Sequence, residues 1–460
     1  MKFSSRFRAP YIALGIGLVV VGAVVRTNNA FQYPPLWGFD ARGNWQYVAS
    51  LLSSWALPAP ESGWSTGHPP LFYYLSACVG RLFSGDRDVT VVAVRLMNSL
   101  AGLATAGLAA WLVHRSDPER PSRALLAAAL LIFLPVQIML SAMFTEEILV
   151  SFLISTVVVG LALGAADRGD AGAGPGPSDG PGEAWLAMLG VMAGLACSTK
   201  LSGALVVLVA TLTLAIRGLD PVDLRRTTRH LAIFGVPVLL FGGAYYARNW
   251  FEYGFVYPHG LGPHAVMQEM PPGSRELLDF FRFPLAVWTD PQLLSPDLLR
   301  SVWGSTYTTW WFDGIRKFLP VDDALVGTLG TAMLVLAVVP TAAGIAGLVS
   351  GVRRAFRRPD GLDTPLLLLV AATIAGYALF NWRNQVFATL KASYLLGLSV
   401  PFAYYTSEGL DRWMQRSGVL RAGILVVLGA LFVLSVLVFS FGLLFEKPRF
   451  AGIDWRQVLH

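Results

Sequence analysis

The run PYIALGIGLVVVGAVVR at residues 10–26 decides the fold class, because it is apolar along almost its whole length. A helix that crosses the hydrocarbon core of a bilayer needs about 20 mostly apolar residues. Runs of similar character recur along the chain, which predicts an all-α polytopic membrane protein with about eleven transmembrane helices. The predicted spans are 10–26, 89–113, 124–143, 147–165, 184–199, 202–216, 230–247, 322–350, 364–380, 394–410 and 422–445.

The composition of the 460 residues excludes several function classes. Hydrophobic residues make up 54% and charged residues only 14%, whereas soluble domains carry about 25% charged residues. The net charge of +6 is not gathered in basic patches with interleaved aromatic residues, so nucleic acid is not an expected partner. Cys78 and Cys197 form no CxxC pair, and His259 and His264 have no third ligand at metal-site spacing, so no metal site is predicted. Residues 166–183 are rich in Gly, Pro and Asp and are predicted to be a flexible linker.

Positive charges predict the orientation of the spans. Lys2, Arg6 and Arg8 precede a first run that is longer than a signal-peptide core and is followed by no good cleavage site, so it is predicted to be a retained span. If 184–199 and 202–216 form a hairpin, about half of the 35 Lys and Arg residues fall on short loops of one side. Such loops are typically cytoplasmic, so the N-terminus is expected inside and the C-terminus outside.

Two long segments and one short turn are then predicted on the outer face. Residues 27–88 contain two stretches, 40–55 and 69–83, that are predicted to be juxtamembrane helices lying on the membrane surface. Residues 248–321 are rich in Trp, Tyr, Pro and Gly. The turn Thr145-Glu146-Glu147 joins two spans.

Three carboxylates on these outer segments are candidate catalytic groups. Asp40 opens an amphipathic stretch, so it is either an N-cap, a general base, or both. Glu146 and Glu147 lie at a lipid boundary, where adjacent carboxylates are costly unless they meet a cation or water. A solvated turn is the structural alternative, and the sequence does not decide which of the two glutamates would act as a second acid.

Four basic side chains fall on the predicted outer side, where such residues are usually depleted. Snorkelling to the interface is the structural explanation for the lysines and the arginine, and an ordinary surface position is that for the histidine. Cations retained against the bias are also candidates for binding an anion such as a lipid phosphate. These residues are His68, Lys200, Arg248 and Lys391.

Motifs in the same order make the chain resemble the GT-C glycosyltransferases, and it is most similar to bacterial relatives of protein O-mannosyltransferases and of lipid A aminoarabinose transferases. The resemblance covers about residues 10–410, so 1–410 is the predicted catalytic module and 411–460 an inner loop, a last span and an outer tail. The matching pieces are Asp40, His68-Pro69-Pro70-Leu71, Arg95, Thr199-Lys200-Leu201-Ser202-Gly203, Arg248-Asn249 with Tyr253-Gly254, and Lys391 to Leu395.

The resemblance implies an inverting transfer from a sugar linked to a polyprenyl phosphate, without a nucleotide sugar. No cofactor is expected, and the sequence does not decide whether the reaction requires a metal. The aminoarabinose enzymes have Lys where this chain has His68, which argues against that substrate, and the soluble outer domain of several relatives is missing. The implied site has Asp40 as catalytic base, Glu146 or Glu147 as second acid, His68, Lys200, Arg248 and Lys391 around the donor phosphate, and Arg95, Asn249 and Tyr253 elsewhere in the pocket.

The sequence therefore predicts a membrane glycosyltransferase with its active site on the outer face of a bacterial inner membrane. Its expected partners are a polyprenyl-phosphate-linked sugar, membrane lipids, and an acceptor that is a glycan, lipid or protein. A polysaccharide polymerase or ligase that uses a diphosphate-linked donor, and a lipid or solute transporter, are the alternatives. A transporter would place its charges near the bilayer midplane on interrupted, repeated helices.

Overall fold

The chain is helical almost throughout the residues that its computed structural model describes, which are 5–169, 182–219, 223–259, 261–292, 294–319 and 324–445. Within these ranges there is no strand, only an isolated bridge between Pro272 and Val386. The all-α prediction is confirmed. The helices are α1 (Ser5–Gln32), α2 (Ala41–Ser54), α3 (Leu71–Leu82), α4 (Arg87–Ser116), α5 (Pro121–Ile132), α6 (Pro135–Ser141), α7 (Glu147–Gly169), α8 (Glu183–Thr199), α9 (Gly203–Arg217), α10 (Leu224–Tyr253), α11 (Ala286–Thr289), α12 (Pro296–Leu299), α13 (Val302–Trp311), α14 (Ala324–Leu336), α15 (Val338–Arg357), α16 (Asp363–Arg383), α17 (Ser399–Met414) and α18 (Gly418–Phe439).

Seven helical stretches of the described chain are long and apolar enough to cross a membrane, and the bent pair α5 and α6 makes an eighth. The protein is therefore a multi-pass membrane protein. The other three predicted spans are helices of 17, 15 and 16 residues, namely α8, α9 and α17, which are shorter than a full crossing. The seven stretches are Pro10–Gln32, Arg87–Ser116, Glu147–Gly164, Leu224–Tyr253, Ala324–Arg357, Asp363–Arg383 and Gly418–Phe439.

The predicted span 124–143 is bent by 52° where α5 meets α6. Pro135 causes the break, because its ring excludes the preceding turn of helix and it has no N–H to donate. Leu134 is extended, with φ −67° and ψ 119°, as expected for a residue before proline. The bend turns the chain towards the Glu146 turn.

The predicted hairpin at 184–216 is confirmed as two packed helices, α8 and α9, joined by Lys200, Leu201 and Ser202. Gly203 allows this tight connection. A Cβ at Gly203 would lie 2.2 Å from the backbone carbon of Ala196, so a larger residue would push α9 away from α8. The short connection holds Lys200 at the end of the hairpin.

The two short helices predicted in the first outer segment are present as α2 and α3, and α3 packs against both α2 and α4. α2 and α3 share a buried aromatic cluster, in which the rings of Tyr47 and Tyr73 stack at 4.1 Å and Phe72 meets Phe144 at 5.5 Å. Aromatic pairs of this kind add about 0.5–1.5 kcal/mol beyond the area they bury. The cluster therefore fixes α2 and α3 against the segment that leads to Glu146.

The charges predicted to be inside and outside lie at opposite ends of α16. At its start, Asp363 accepts from Arg354 at 2.7 Å, and Arg354 also pairs with Glu408 of α17. At its end, the chain turns towards Lys391. A helix of 21 residues is about 30 Å long, which is about the thickness of the hydrocarbon core of a bilayer. The centre of the predicted linker, 170–181, and the predicted tail from 446 onwards lie outside the described residues.

Candidate active site

Asp40 has its carboxylate free of the helix that it opens. It occupies the N-cap position of α2, but its side chain makes no capping bond, and its backbone is left-handed with φ 56° and ψ 9°. Its Oδ1 instead accepts from Trp64 Nε1 at 2.8 Å, and the residue is exposed. A non-glycine residue in this conformation is strained, and such strain is typical of functional positions. The carboxylate is thus held on one side and open to a substrate on the other.

Glu146 and Glu147 both form ion pairs with Lys200, because two buried carboxylates need a cation to compensate their charge. The Lys200 Nζ lies 3.0 Å from Glu146 Oε1 and 2.6 Å from Glu147 Oε1. The side chains of the two glutamates are only 4% and 9% exposed. Burial alone would raise the pKa of Glu146, but Lys200 and His68 hold that pKa well below its usual range. The two carboxylates likewise raise the pKa of Lys200, although burial opposes them, so this ion pair persists at neutral pH.

Hydrogen bonds fix the turn that presents the two glutamates. Asn98 of α4 donates to the carbonyl of Thr145 at 2.9 Å, and Asn44 of α2 donates to the carbonyl of Phe144 at 2.9 Å. Both hydrogen bonds are buried, and an unpaired polar group in such a place costs about 1–3 kcal/mol. The turn is therefore held by the first outer segment and by α4 together.

Lys391 is a buried ammonium group for which the described chain supplies no carboxylate within 4.0 Å. Its Nζ lies 4.2 Å from the ring centre of Phe39 and 5.5 Å from that of Tyr394. Burial lowers the pKa of Lys391, and Asp40 and Glu147 partly oppose this effect. Phe39 precedes Asp40 in sequence, and the exposed Asp40 carboxylate is close enough to Lys391 for their charges to interact.

A cleft begins among these polar groups and continues between apolar side chains. Its polar end includes Glu147, Lys200 and Tyr394. Its walls come from α7, α9, α16 and the residues before α17. The apolar residues that line it include Val150, Ile154, Leu205 and Leu396.

The structure places Arg248, Asn249 and Tyr253 beside the cluster rather than in its ion pairs. Arg248 donates to the carbonyls of Leu57 and Pro58 and to the hydroxyl of Tyr253, and it pairs with Glu252. Asn249 is fully buried. Arg248 therefore holds the loop after α2 against the end of α10 in this structure.

Arg95 lies away from the ion pairs and holds the chain that leads to Asp40. Its guanidinium donates to the carbonyls of Tyr33, Pro34 and Pro35 at 2.6–2.9 Å, and it lies 5.3 Å from the ring centre of Tyr33. It is completely buried. These contacts give Arg95 a positioning role for the segment between α1 and α2.

We expect the variant Arg95→Leu to lower the free energy of unfolding by about 2 kcal/mol, because three hydrogen bonds from a charged group are lost while the cost of burying that charge is relieved. Equilibrium unfolding in detergent measures the change. Arg87→Leu is the control, because Arg87 is exposed and its ion pair is with its neighbour Asp88. Wild-type stability in Arg95→Leu would contradict the positioning role.

The site contains residues that sequence reasoning missed. Lys317 is half-buried and close enough to Asp40 and Asp313 for both carboxylates to affect its pKa, which burial lowers. It lies in the predicted outer segment 248–321, so the rule that selected Lys391 applies to it as well. Tyr394 lies under both Lys200 and Lys391. His259 and His264 belong to no group of three metal-binding side chains within the described ranges.

Residues 61–253 match the family model described as dolichyl-phosphate-mannose-protein mannosyltransferase. Among solved structures, the chain is similar to the apo oligosaccharyltransferase of Archaeoglobus fulgidus, with a TM-score of 0.53 and 16% identity over 94% of this chain and 57% of that protein. The fold is that of the GT-C glycosyltransferases. The same archaeal protein in complex with an inhibitory peptide and a dolichol-phosphate has a TM-score of 0.52, with 14% identity over 93% of this chain and 56% of that protein.

The chain is also similar to a second GT-C protein, and it covers only part of the length of both proteins. ArnT from Cupriavidus metallidurans, bound to undecaprenyl phosphate, has a TM-score of 0.49 and 17% identity over 92% of this chain and 64% of that protein. The chain thus spans between about half and two thirds of the length of these GT-C proteins. Among curated protein sequences, none matches this chain.

Proposed function

We propose that this protein transfers a sugar from a polyprenyl phosphate to an acceptor hydroxyl at the outer face of a membrane. The observation that carries the proposal is Lys391, a buried cation that meets no carboxylate within ion-pair distance in the described chain and lies beside the exposed Asp40. A small cavity is lined by Glu147, Lys200 and Tyr394, and the Tyr394 ring also contacts Lys391. The GT-C fold, and the dolichol-phosphate bound by the archaeal oligosaccharyltransferase of that fold, support the same substrate class.

The proposed reaction is a direct displacement with inversion at the sugar carbon. The acceptor hydroxyl oxygen forms a bond to the anomeric carbon while its proton passes to Asp40. The bond from that carbon to the phosphate oxygen breaks, and the lipid phosphate leaves with the electron pair. Lys391, with Lys317 nearby, stabilises the charge that develops on the phosphate in a site of low dielectric constant.

Glu146, Glu147 and Lys200 form the second part of the proposed site. Their ion pairs hold three charges next to the cleft in a fixed arrangement. One carboxylate of this pair is well placed to orient an acceptor, while Lys200 balances both charges. Removing the positive charge of Lys200 is expected to lower both the stability and the activity of the protein.

The test uses purified protein in proteoliposomes with two donors that carry the same sugar, one on undecaprenyl monophosphate and one on undecaprenyl diphosphate. We expect turnover, measured as loss of the donor, only with the monophosphate. Turnover only with the diphosphate would favour the polymerase or ligase alternative. Movement of the lipid across the bilayer without any loss of its sugar would favour the transporter.

The affinity for the donor should fall at alkaline pH because Lys391 loses its charge. Burial lowers the pKa of Lys391, so the ammonium form is present below this pKa and is lost as the pH rises through it. The KM of the donor should therefore rise with pH, and it should rise less in Lys391→Arg, since arginine keeps its charge. Donor KM across the pH range measures this effect. The same alkaline rise in the arginine variant would show that another group titrates.

A further inference from the structure

A chain of hydrogen bonds fixes the position of the hydrogen on His68. Asn44 Nδ2 donates to the carbonyl of Phe144, so Asn44 Oδ1 is the atom that accepts from the Tyr73 hydroxyl at 3.0 Å. A tyrosine hydroxyl has one hydrogen, and this contact uses it. The remaining contact, 3.0 Å between Tyr73 and His68 Nδ1, can therefore be made only if Nδ1 is the donor.

The opposite nitrogen of His68 is then left with a free lone pair. In the neutral imidazole the single hydrogen is on Nδ1, and Nε2 is an acceptor. The side chain is 23% exposed, and no group of the described chain is hydrogen-bonded to Nε2. The backbone before the ring is also fixed, because Tyr245 of α10 donates to the carbonyl of Gly67 at 2.5 Å. The ring thus presents an acceptor from a rigid position.

The charged neighbours of His68 do not change this assignment. Glu146 Oε1 lies 3.7 Å from Nδ1, on the side of the ring that already donates. Glu146 and Asp40 favour protonation, whereas Lys200 and His264 oppose it. Burial is the largest influence and lowers the pKa of His68, so the ring is neutral at neutral pH.

We propose that His68 Nε2 accepts a hydrogen bond from a substrate hydroxyl, instead of binding the donor phosphate as a cation. This inference rests on the proposed function and refines it. A phosphate oxygen only accepts hydrogen bonds and would be repelled by the lone pair, whereas a hydroxyl of the transferred sugar or of the acceptor can donate to it. His68 becomes a residue that selects a hydroxylated substrate, and the phosphate is left to Lys391.

Three substitutions separate this role from phosphate binding. His68→Asn keeps a donor near the Nδ1 position for Tyr73 but removes the acceptor. His68→Gln places an amide oxygen near the Nε2 position. His68→Lys supplies a permanent cation, which would improve a phosphate site and destroy a hydroxyl-accepting one.

The experiment measures binding of undecaprenyl-phosphate-mannose and of undecaprenyl phosphate without sugar to the full-length protein. For a hydroxyl on the transferred sugar, His68→Asn and His68→Lys should weaken binding of the sugar-bearing lipid by about tenfold, the range of one hydrogen bond. Binding of the bare lipid phosphate should not weaken in either variant, and His68→Gln should retain most of the affinity for the sugar-bearing lipid. A second pattern is normal binding of both lipids by His68→Asn together with a fall in its turnover that His68→Gln does not show. In that case the hydroxyl that donates to His68 belongs to the acceptor.

The direction of the pH effect supplies an independent readout. Protonation places a hydrogen on Nε2, so binding of the sugar-bearing lipid by the wild type should weaken as the pH falls, and His68→Gln should lose this dependence. An equal loss of affinity for both lipids in His68→Asn would overturn the inference. Tighter binding of both lipids by His68→Lys would overturn it as well. A wild type that binds neither lipid would instead reject the proposed function.

Discussion

Asp40→Asn is expected to lower turnover by about 10²–10⁴-fold, the usual contribution of a general base. Asparagine keeps the shape of the side chain and can still accept from Trp64 Nε1, the one side-chain contact of Asp40 that bears on the fold. It cannot accept the proton of the attacking hydroxyl. The variant should therefore insert and unfold like the wild type, and binding of the lipid donor should be close to normal. Single-turnover transfer assays and thermal unfolding in detergent measure the two properties.

Asp86→Asn is the matched control for this prediction. Asp86 is another N-cap aspartate of the first outer segment, at the start of α4, but its carboxylate accepts from the backbone N–H of Val89. It is thus engaged in capping, whereas that of Asp40 is not. Asp86→Asn should keep near-normal turnover. Comparable losses in the two variants, or near-normal turnover in Asp40→Asn, would reject Asp40 as the base.

Lys200→Met is expected to have the largest effect on stability, a loss of about 3 kcal/mol or more. Its ammonium balances the two buried carboxylates at 3.0 Å and 2.6 Å. Removing one partner of a buried ion pair leaves uncompensated charge, which typically costs about 3–5 kcal/mol. The variant should unfold at lower denaturant concentration and lose transfer activity. Equilibrium unfolding in detergent gives the change in free energy.

The loss in Lys200→Met should be largely reversed when both carboxylates are neutralised as well. The variant Lys200→Met/Glu146→Gln/Glu147→Gln leaves amides, which tolerate burial better than unpaired carboxylates. Its stability should return towards that of the wild type while transfer stays absent. If the triple variant remains as unstable as Lys200→Met, the loss arises from packing of the lysine chain and not from its charge.

The sequence predicted the membrane fold because apolar length and positive-charge bias are local properties. It also selected Asp40, His68, Glu146, Glu147, Lys200 and Lys391, which the structure brings together, since cations and paired carboxylates are unusual at a predicted outer boundary. It could not show that Lys200 forms ion pairs with both glutamates, whereas Lys391 has no carboxylate of the described chain within ion-pair distance. That difference depends on how α7, α9 and the residues before α17 pack.

Other details depend on distances that a linear pattern does not contain. Arg95, Arg248 and Lys391 each belong to a different motif of the same family resemblance. Arg95 and Arg248, however, donate hydrogen bonds to backbone carbonyls of the first outer segment. Asp is one of the few non-glycine residues that adopt a left-handed backbone, but most Asp residues do not, so the conformation of Asp40 could not be predicted. Three predicted spans are shorter in the described chain than a full crossing, because apolar sequence alone does not fix the length of α8 and α9, and α17 ends in charged residues.

The binding site of the donor headgroup tests the central claim most directly. An experimental structure of the protein with undecaprenyl phosphate should show the phosphate within hydrogen-bond distance of Lys391, beside Asp40, with the lipid chain in the cleft that begins at Tyr394. Phosphate density at the opposite end of α16, near Arg354, or in a place remote from both Lys391 and Asp40, would contradict the account.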